Sequence, residues 1–401
     1  MSDSEGVGTR VLVTGATGFI GTTLLGKLVR AGYQVRALTR RGPGAAPPGF
    51  AAGFAAGLAG GGSSNLRGSL GSHGSRVSDS ANGSERVDGR GLSGGAATSG
   101  SAVHDTVSGS VEWVAGDILD AGSVRAAMRG CRQVFHLAAY AKNWAPRLAT
   151  FDEYNVGGLR NVLEAAREAD VERIVWTSTM VVFGPTARGE IADESRPRPA
   201  VDCFTEYEAS KVRAEAEASA AIAAGAPLVV VNPSRVYGPG HLTEGNSMAR
   251  LIDDYDRGRF PILLNAGVNV ANYGFVDDIA EGHLLAMRHG RIGERYLLGG
   301  ENVSLKQLFR LIDELTGRRH WKIPIFRPGA LLFAYGQRKR AEWLGVYPTI
   351  TPGWVRTFLV DWSFSCAKAE RELGYRPTPF RDGLARTLEW LASLRELKNR
   401  R

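Results

Sequence analysis

The stretch Thr14-Gly15-Ala16-Thr17-Gly18-Phe19-Ile20-Gly21 constrains this chain more than any other. The apolar run Val11-Leu12-Val13 before it reads as a short buried strand. The run after it carries Leu24, Leu25, Leu28 and Val29 on one helical stripe, with Gly32 as a stop. Strand, glycine turn and helix in that order leave the first helical amides aimed at an anion, and the glycines let a pyrophosphate approach the backbone. A glycine fingerprint alone is weak; the flanking strand and helix give it meaning. Gly15, Thr17, Gly18, Phe19, Ile20 and Gly21 are therefore candidate contacts for a dinucleotide. The expected fold is α/β, a Rossmann-type doubly wound parallel sheet with a smaller C-terminal α/β substrate lid.

Gln34-Val35-Arg36-Ala37-Leu38-Thr39 reads as the second strand, and its end bears on which cofactor binds. A carboxylate near this point would hold the adenosine ribose hydroxyls, whereas an arginine accommodates a 2′-phosphate. Thr39 stands where the carboxylate is expected, followed by Arg40 and Arg41. The chemistry favours NADP(H) over NAD(H), with Arg40 and Arg36 as candidate phosphate partners. From 42 to 110 the chain is rich in Gly, Ser and Ala, with balanced charge and almost no aromatics beyond Phe50 and Phe54. Such a stretch buries too little apolar surface to offset its ordering entropy and is expected to be a flexible insertion.

The alternating pattern resumes at Val111–Ile118, a strand whose Asp117 side chain or Ile118 backbone is placed to meet an adenine edge. Gln133–Leu137 forms another strand, running into Ala138 and Ala139, small enough to let ribose and pyrophosphate lie against the backbone. His136, inside that apolar strand, reads as a packed core histidine. A helix over 152–169 carries Asn155 early, as a hydrogen-bonding tie between strand ends at the cofactor side. Arg173–Thr179 is a buried strand that finishes in three hydroxyls, and Tyr207-Glu208-Ala209-Ser210-Lys211 opens a helix running through Ala224. A spacing of four stacks Tyr207 and Lys211 on one helical face. A nearby ammonium would lower the tyrosine pKa toward the working pH, and a strand-end hydroxyl would bond a substrate carbonyl while Tyr207 exchanges its proton.

Composition narrows the function classes. With 401 residues, 43% hydrophobic and 22% charged, the chain has the make-up of a soluble globular protein. The formal net charge of +8 suits a nucleotide cofactor, and no basic block is interleaved with aromatics, so no nucleic-acid partner is expected. The polar N-terminus is not a secretory signal. Cys131, Cys203 and Cys366 have neither disulfide nor zinc spacing, so no metal is expected and the cytoplasm is the expected compartment.

The chain resembles the extended short-chain dehydrogenases/reductases. The likeness rests on TGATGFIG at 14–21, GDI at 116–118, HLAA at 136–139, TST before Phe183-Gly184, YEASK at 207–211, NPSRVYGPG at 232–240, FVDDIAEGH at 275–283 and ELGYRP at 372–377. Within that family it is most similar to the dihydroflavonol reductase, 3β-hydroxysteroid dehydrogenase and hopanoid-associated epimerase branch. The resemblance implies Tyr207 as acid/base, Lys211 as its electrostatic and ribose partner, and Thr179 as the hydroxyl member. It also implies that Pro233, Ser234 and Val236 line the nicotinamide side, and that a dimer forms through paired helices including the one with Tyr207. Family members acting on nucleotide sugars carry an arginine just before the Val-Asp-Asp motif; here that position is Ala271, which cannot grip a diphosphate.

Residues 1–235 therefore read as a dinucleotide-binding domain interrupted at 42–110. Residues 236–401 read mainly as a substrate region, with 276–300 packing back on the first domain. Tyr140, Asn143, Trp144, Phe183, Cys203, Phe204, Tyr237, His241 and Tyr273 are expected to face the substrate, and Asp277 and Asp278 to cap the helix they begin. Segment 328–345, with Leu331, Leu332, Phe333 and Trp343 beside Arg338-Lys339-Arg340, reads as a lid helix with a solvated basic face rather than a membrane-touching one. The activity expected is hydride exchange between a ketone or secondary alcohol on a bulky, lipophilic small molecule and NADP(H). The alternative is a dinucleotide-retaining epimerase or dehydratase acting on a sugar derivative.

Overall fold

The computed structural model describes residues 8–41, 111–242, 244–260, 262–348 and 350–399, and the insertion predicted at 42–110 lies outside them. In chain order the first part is β1 (Arg10–Thr14), α1 (Phe19–Arg30), β2 (Gln34–Thr39), β3 (Val111–Ala115), α2 (Ala121–Met128), β4 (Gln133–His136) and α3 (Ala149–Asp152). A single π turn, Glu153–Gly157, leads into α4 (Gly158–Glu168), followed by β5 (Arg173–Thr177), α5 (Glu206–Ala223) and β6 (Leu228–Pro233). Next come β7 (Arg235–Tyr237), α6 (Ser247–Asp256), β8 (Ile262–Leu264), β9 (Val270–Phe275), α7 (Val276–His289), β10 (Arg295–Leu298) and β11 (Glu301–Ser304). The chain closes with α8 (Leu305–Thr316), β12 (Ile323–Ile325), α9 (Arg327–Leu344), α10 (Pro352–Thr357), α11 (Ala367–Leu373) and α12 (Phe380–Asn399).

Seven strands form one parallel sheet in the order β10-β6-β5-β4-β1-β2-β3. A parallel sheet is covered on both faces, and its strands are correspondingly apolar. Val11, Leu12 and Val13 are fully buried, as is the whole of β6. One face packs on Val124, Met128, Leu159 and Val162 of α2 and α4 and on Ala214 and Ala218 of α5. Leu24, Leu25 and Leu28 of α1 are fully buried, and the Lys27–Glu281 pair at 3.0 Å ties α1 to α7. Chain order reverses between β1 and β4, so the crevice at their carboxyl ends is where this architecture binds ligand.

The later elements build a second layer. β11, β9 and β7 make a three-stranded sheet and β12 pairs with β8. Their core holds Tyr237, Tyr255, Tyr273, Phe275, Phe309 and Trp362. Segment 276–300 runs back to the first layer, where α7 meets α1 and β10 pairs with β6 as the seventh strand. Asp277 and Asp278 lie in the first turn of α7 but do not cap it. Asp278 instead accepts hydrogen bonds from Thr378 (2.6 and 2.9 Å), and Asp277 pairs with Arg386 at 3.3 Å.

Candidate active site

The glycine loop is shaped by contact as well as conformation. Gly15 has φ +74°, and a Cβ there would sit 2.6 Å from the Ala138 amide nitrogen, so only glycine lets β1 and β4 end side by side. A Cβ on Gly21 would run into the Gly15 carbonyl. A Cβ on Gly18 would meet only that same carbonyl, at 3.1 Å, because Gly18 otherwise faces the open cleft. Helix α1 starts there with no side-chain cap and no acidic residue in its first turn, leaving its positive end available to an anion.

One cleft of about 760 Å³ takes in Gly15, Thr17, Gly18, Phe19, Ile20 and Gly21 with Arg40, Asp117, Ile118, Ala138 and Ala139. The same cleft reaches Thr179, Tyr207, Lys211, Pro233 and Val236. Ser234 Oγ is buried on its wall without a hydrogen-bond partner among the described residues, an unspent polar group on the nicotinamide side of the expected ligand. Glycine cradle, free helix end and this hydroxyl together fit a dinucleotide.

Two expected cofactor residues are placed elsewhere. Arg36 turns away from the cleft. Its Nε donates to Glu112 at 2.9 Å, and one Nη donates to the Ala127 and Arg129 carbonyls at 3.0 and 2.7 Å, so it caps α2 rather than meeting a phosphate. Arg40 by contrast is exposed at the cleft, where among the described residues it makes a 3.4 Å hydrogen bond to the Tyr154 hydroxyl. Asn155 is also off the cleft. Held in the π turn and 3% exposed, it accepts from the Tyr140 amide at 2.8 Å and donates to Ser210 Oγ at 2.8 Å. It braces the loop after β4 against α5 from behind.

The three hydroxyls at the end of β5 point three ways. Thr177 Oγ1 bonds His283 Nε2 at 2.9 Å, and Ser178 Oγ donates to Glu215 at 2.5 Å. Both residues line the cleft but spend their hydroxyls on these partners, whereas the Thr179 hydroxyl meets that of Tyr207. Thr205 caps α5 by accepting from the Glu208 amide at 3.1 Å, which sets Tyr207 in the first turn. Lys211, one turn on and 2% exposed, donates to the Thr177 carbonyl at 2.9 Å and lies 5.1 Å from the centre of the Trp176 ring.

The electrostatics differ from the sequence expectation in one respect. Burial pushes the Tyr207 phenol up to about 12, and the group opposing this is the Thr179 hydroxyl, not Lys211. Burial likewise pushes Lys211 down to about 8, against the pull of the Glu215 carboxylate. Glu215 is a buried hub. It accepts from Ser178 and from Asn232 (3.0 Å) on one oxygen and from Arg295 (3.0 Å) on the other. His136, bonded to Thr14 Oγ1 at 2.7 Å, is a core residue held neutral: burial first, then the Lys211 charge, pushes it down to about 3.

On the substrate side, of the nine residues expected to face the ligand only Asn143 lines the cleft. Phe183, Tyr237 and Tyr273 are core residues, and Phe204 packs edge-on against Trp362. The wall is made instead by Met180, Val181, Met248, Leu251, Trp354, Phe358 and Trp362. Arg235 is a cation on this wall, donating to the Thr357 carbonyl at 3.0 Å and lying 4.1 Å from the centre of the Phe358 ring. Its place straight after Pro233-Ser234, at the carboxyl end of a buried strand, was the available sequence signal. Ala271 is 4% exposed and absent from the cleft.

A model of the NAD-dependent epimerase/dehydratase family matches residues 11–49 and 66–299. A Synechocystis sp. protein named provisionally as a dihydroflavonol 4-reductase is 30% identical over 384 residues, covering 94% of this chain and 93% of the relative. A 3β-hydroxysteroid dehydrogenase/Δ5→4-isomerase of Mycobacterium tuberculosis is 30% identical over 284 residues, 67% of this chain and 75% of that one. The crystal structure of a protein called gox2253 superposes with a TM-score of 0.69 at 28% identity, covering 96% of this chain and 98% of that one. The chain belongs to the NAD-dependent epimerase/dehydratase family and is an enzyme of the extended short-chain dehydrogenase/reductase type.

Proposed function

We propose that this enzyme interconverts a ketone and a secondary alcohol on a bulky, lipophilic substrate, with NADP(H) favoured over NAD(H). The observation that carries the reading is the juxtaposition of the Tyr207–Thr179 hydroxyl pair with an apolar wall of Trp354, Phe358 and Trp362 in one cleft. Names borne by its relatives, a steroid dehydrogenase among them, support the same substrate class.

Gly15, Thr17, Gly18 and the first amides of α1 would hold the pyrophosphate; Asp117 and Ile118 the adenine; Arg40 the 2′-phosphate; and Ala138, Ala139, Lys211, Pro233 and Val236 the nicotinamide half. The bound dinucleotide supplies or takes up the hydride. Thr179 donates a hydrogen bond to the substrate oxygen and aligns it. Tyr207 gives that oxygen a proton in reduction and removes it in oxidation. A phenol pushed up to about 12 holds its proton firmly at neutral pH, which suits the donor role in reduction. Lys211 lends positive charge as the phenolate forms. The apolar wall excludes water and grips a hydrocarbon body.

The test is a panel of carbonyl compounds, from sugars to sterol-like ketones, followed at the nicotinamide absorbance with the wild type and with Tyr207→Phe and Thr179→Ala. Turnover confined to apolar ketones and lost in Tyr207→Phe is expected. Purified protein that retains a tightly bound NAD and shows no net oxidation would overturn it in favour of an epimerase.

A further inference from the structure

Helix α9 is built inside out. Its buried stripe is Ala330, Ala334 and Ala341, whereas Leu332, Phe333, Trp343 and Leu344 are 76%, 58%, 81% and 68% exposed. At 3.6 residues per turn these four side chains share about a third of the helix circumference, away from the alanines. Exposed Phe326 immediately precedes the helix and exposed Val346 follows it. A helix folded only to cover its own core shows the opposite arrangement. Arg338, Lys339 and Arg340 are exposed, as expected of a solvated basic face, and the helix presents this apolar arc besides.

Arg340 lies within the apolar arc and Lys339 at its edge, while Arg327 and Arg338 fall nearer the alanine stripe. Arg327, Arg338, Lys339 and Arg340 stand against a single Glu342, four minus one, or +3 over the helix. Glu342 is shared by Arg338 and Lys339 at 2.7 and 2.9 Å, and neither Arg327 nor Arg340 has an ion-pair partner among the described residues. We infer that α9 docks the enzyme onto an anionic lipid surface. Apolar and tryptophan side chains with basic neighbours match the acyl–headgroup boundary of such a bilayer. A second copy of the chain fits less well, because a two-fold contact would set the cationic run against itself.

The docking face lies one layer from the cleft. Ala330 and Ala334 pack with Val355 in a cluster that includes Trp354 and Phe358, and those two aromatics line the cleft. Beyond the helix, Tyr347 packs edge-on against Trp144 at 5.6 Å, next to the cleft residue Asn143. A surface seated on α9 thus bears on the apolar wall through a single shell of side chains. The inference is independent of the substrate proposed above, since it is read without turnover.

The experiment is co-sedimentation of the full chain with phosphatidylcholine vesicles, with and without phosphatidylglycerol, at low and high salt. The wild type is expected to pellet with the anionic vesicles, most strongly at low salt. The surface variant Leu332→Ser/Phe333→Ser/Trp343→Ser is expected to partition at least about 10-fold less, with its Tm and NADPH titration unchanged. Arg338→Gln/Lys339→Gln/Arg340→Gln is expected to lose mainly the salt-sensitive part. The inference fails if the wild type stays in the supernatant with anionic vesicles, or if the serine variant pellets as fully as the wild type. It fails equally if the serine variant abolishes a dimer while vesicles remain unbound.

Discussion

Two arginines four residues apart make a discriminating pair for cofactor choice. Arg40 is exposed at the cleft beyond β2, and among the described residues its hydrogen bond is to the Tyr154 hydroxyl at 3.4 Å. Being already in water, it loses little solvation on meeting a phosphate. A charge-assisted contact to a surface phosphate at about 4 Å is worth roughly 1–3 kcal/mol, or about 5- to 150-fold in affinity. Arg40→Ala is therefore expected to weaken NADPH by about 30-fold, near the middle of that range, and NADH by no more than about 2-fold. Arg36→Ala is the control. Its guanidinium is bound to Glu112 and to the end of α2, so removal costs about 1–2 kcal/mol of stability and leaves the ratio of NADPH to NADH affinity unchanged. Both variants are read by difference-spectrum titration with each cofactor, beside urea unfolding. Equal wild-type affinity for the two cofactors, or an Arg36→Ala variant that changes their ratio, would refute the assignment.

Two further outcomes follow from buried charge. Lys211 is pushed down to about 8, with Glu215 opposing the shift, so the cationic form that supports Tyr207 is lost as pH rises through that value. kcat/KM for reduction should fall on the alkaline side of about 8, and Glu215→Gln should move that limb to lower pH. A pH–rate profile with an unmoved limb would refute the coupling. His136 and His283 are pushed by burial from 6.5 to about 3 and about 4, so below pH 6.5 the unfolded chain binds protons that the native state refuses. Stability present above 6.5 should then drain away at about 1.4 kcal/mol per pH unit per histidine as the pH falls toward those native values. Urea unfolding at pH 6.5 and pH 5 should show the loss, and His136→Gln should remove about half of the slope; an unaltered slope would sink this account.

Local rules made much of the fold and the glycine-loop end of the cleft legible. Val11–Val13, the glycines at 15, 18 and 21 and the helical stripe of α1 are consecutive in sequence, and each carries its own signal. The Tyr207–Lys211 spacing on one helix is legible for the same reason. Arg36 was not, because alternation along β2 gives two faces without saying which one a later helix covers, and α2 lies some ninety residues on. The apolar wall was least legible. Trp362 reaches the cleft through bridges that join 361–364 to Thr186, Ala192 and Ala271, contacts between segments roughly 90 to 175 residues apart with no periodicity to announce them. Aromatic residues near motifs, such as Phe183, Tyr237 and Tyr273, look ligand-facing in the sequence, yet the second layer needs them for its core. Large aromatics bury more area than any other side chains, so a core claims them first.

The buried carboxylate of Glu215 joins α5 to the ends of β5 and β6 and to β10. A carboxylate 7% exposed is retained only where hydrogen bonds and charge offset its lost solvation, and Ser178, Asn232 and Arg295 do that here. Binding Ser178 takes one hydroxyl out of competition and leaves Thr179 beside Tyr207. Standing one turn beyond Lys211, the same charge opposes the fall of the lysine pKa. Bonding Asn232 and Arg295 ties together β6 and β10, which pair at one edge of the sheet. A residue behind the cleft lining thus leaves Thr179 as the hydroxyl beside Tyr207 and opposes the loss of the lysine's charge. That is why Glu215→Gln, an isosteric change outside the cleft, is expected to move a pH profile rather than unfold the protein.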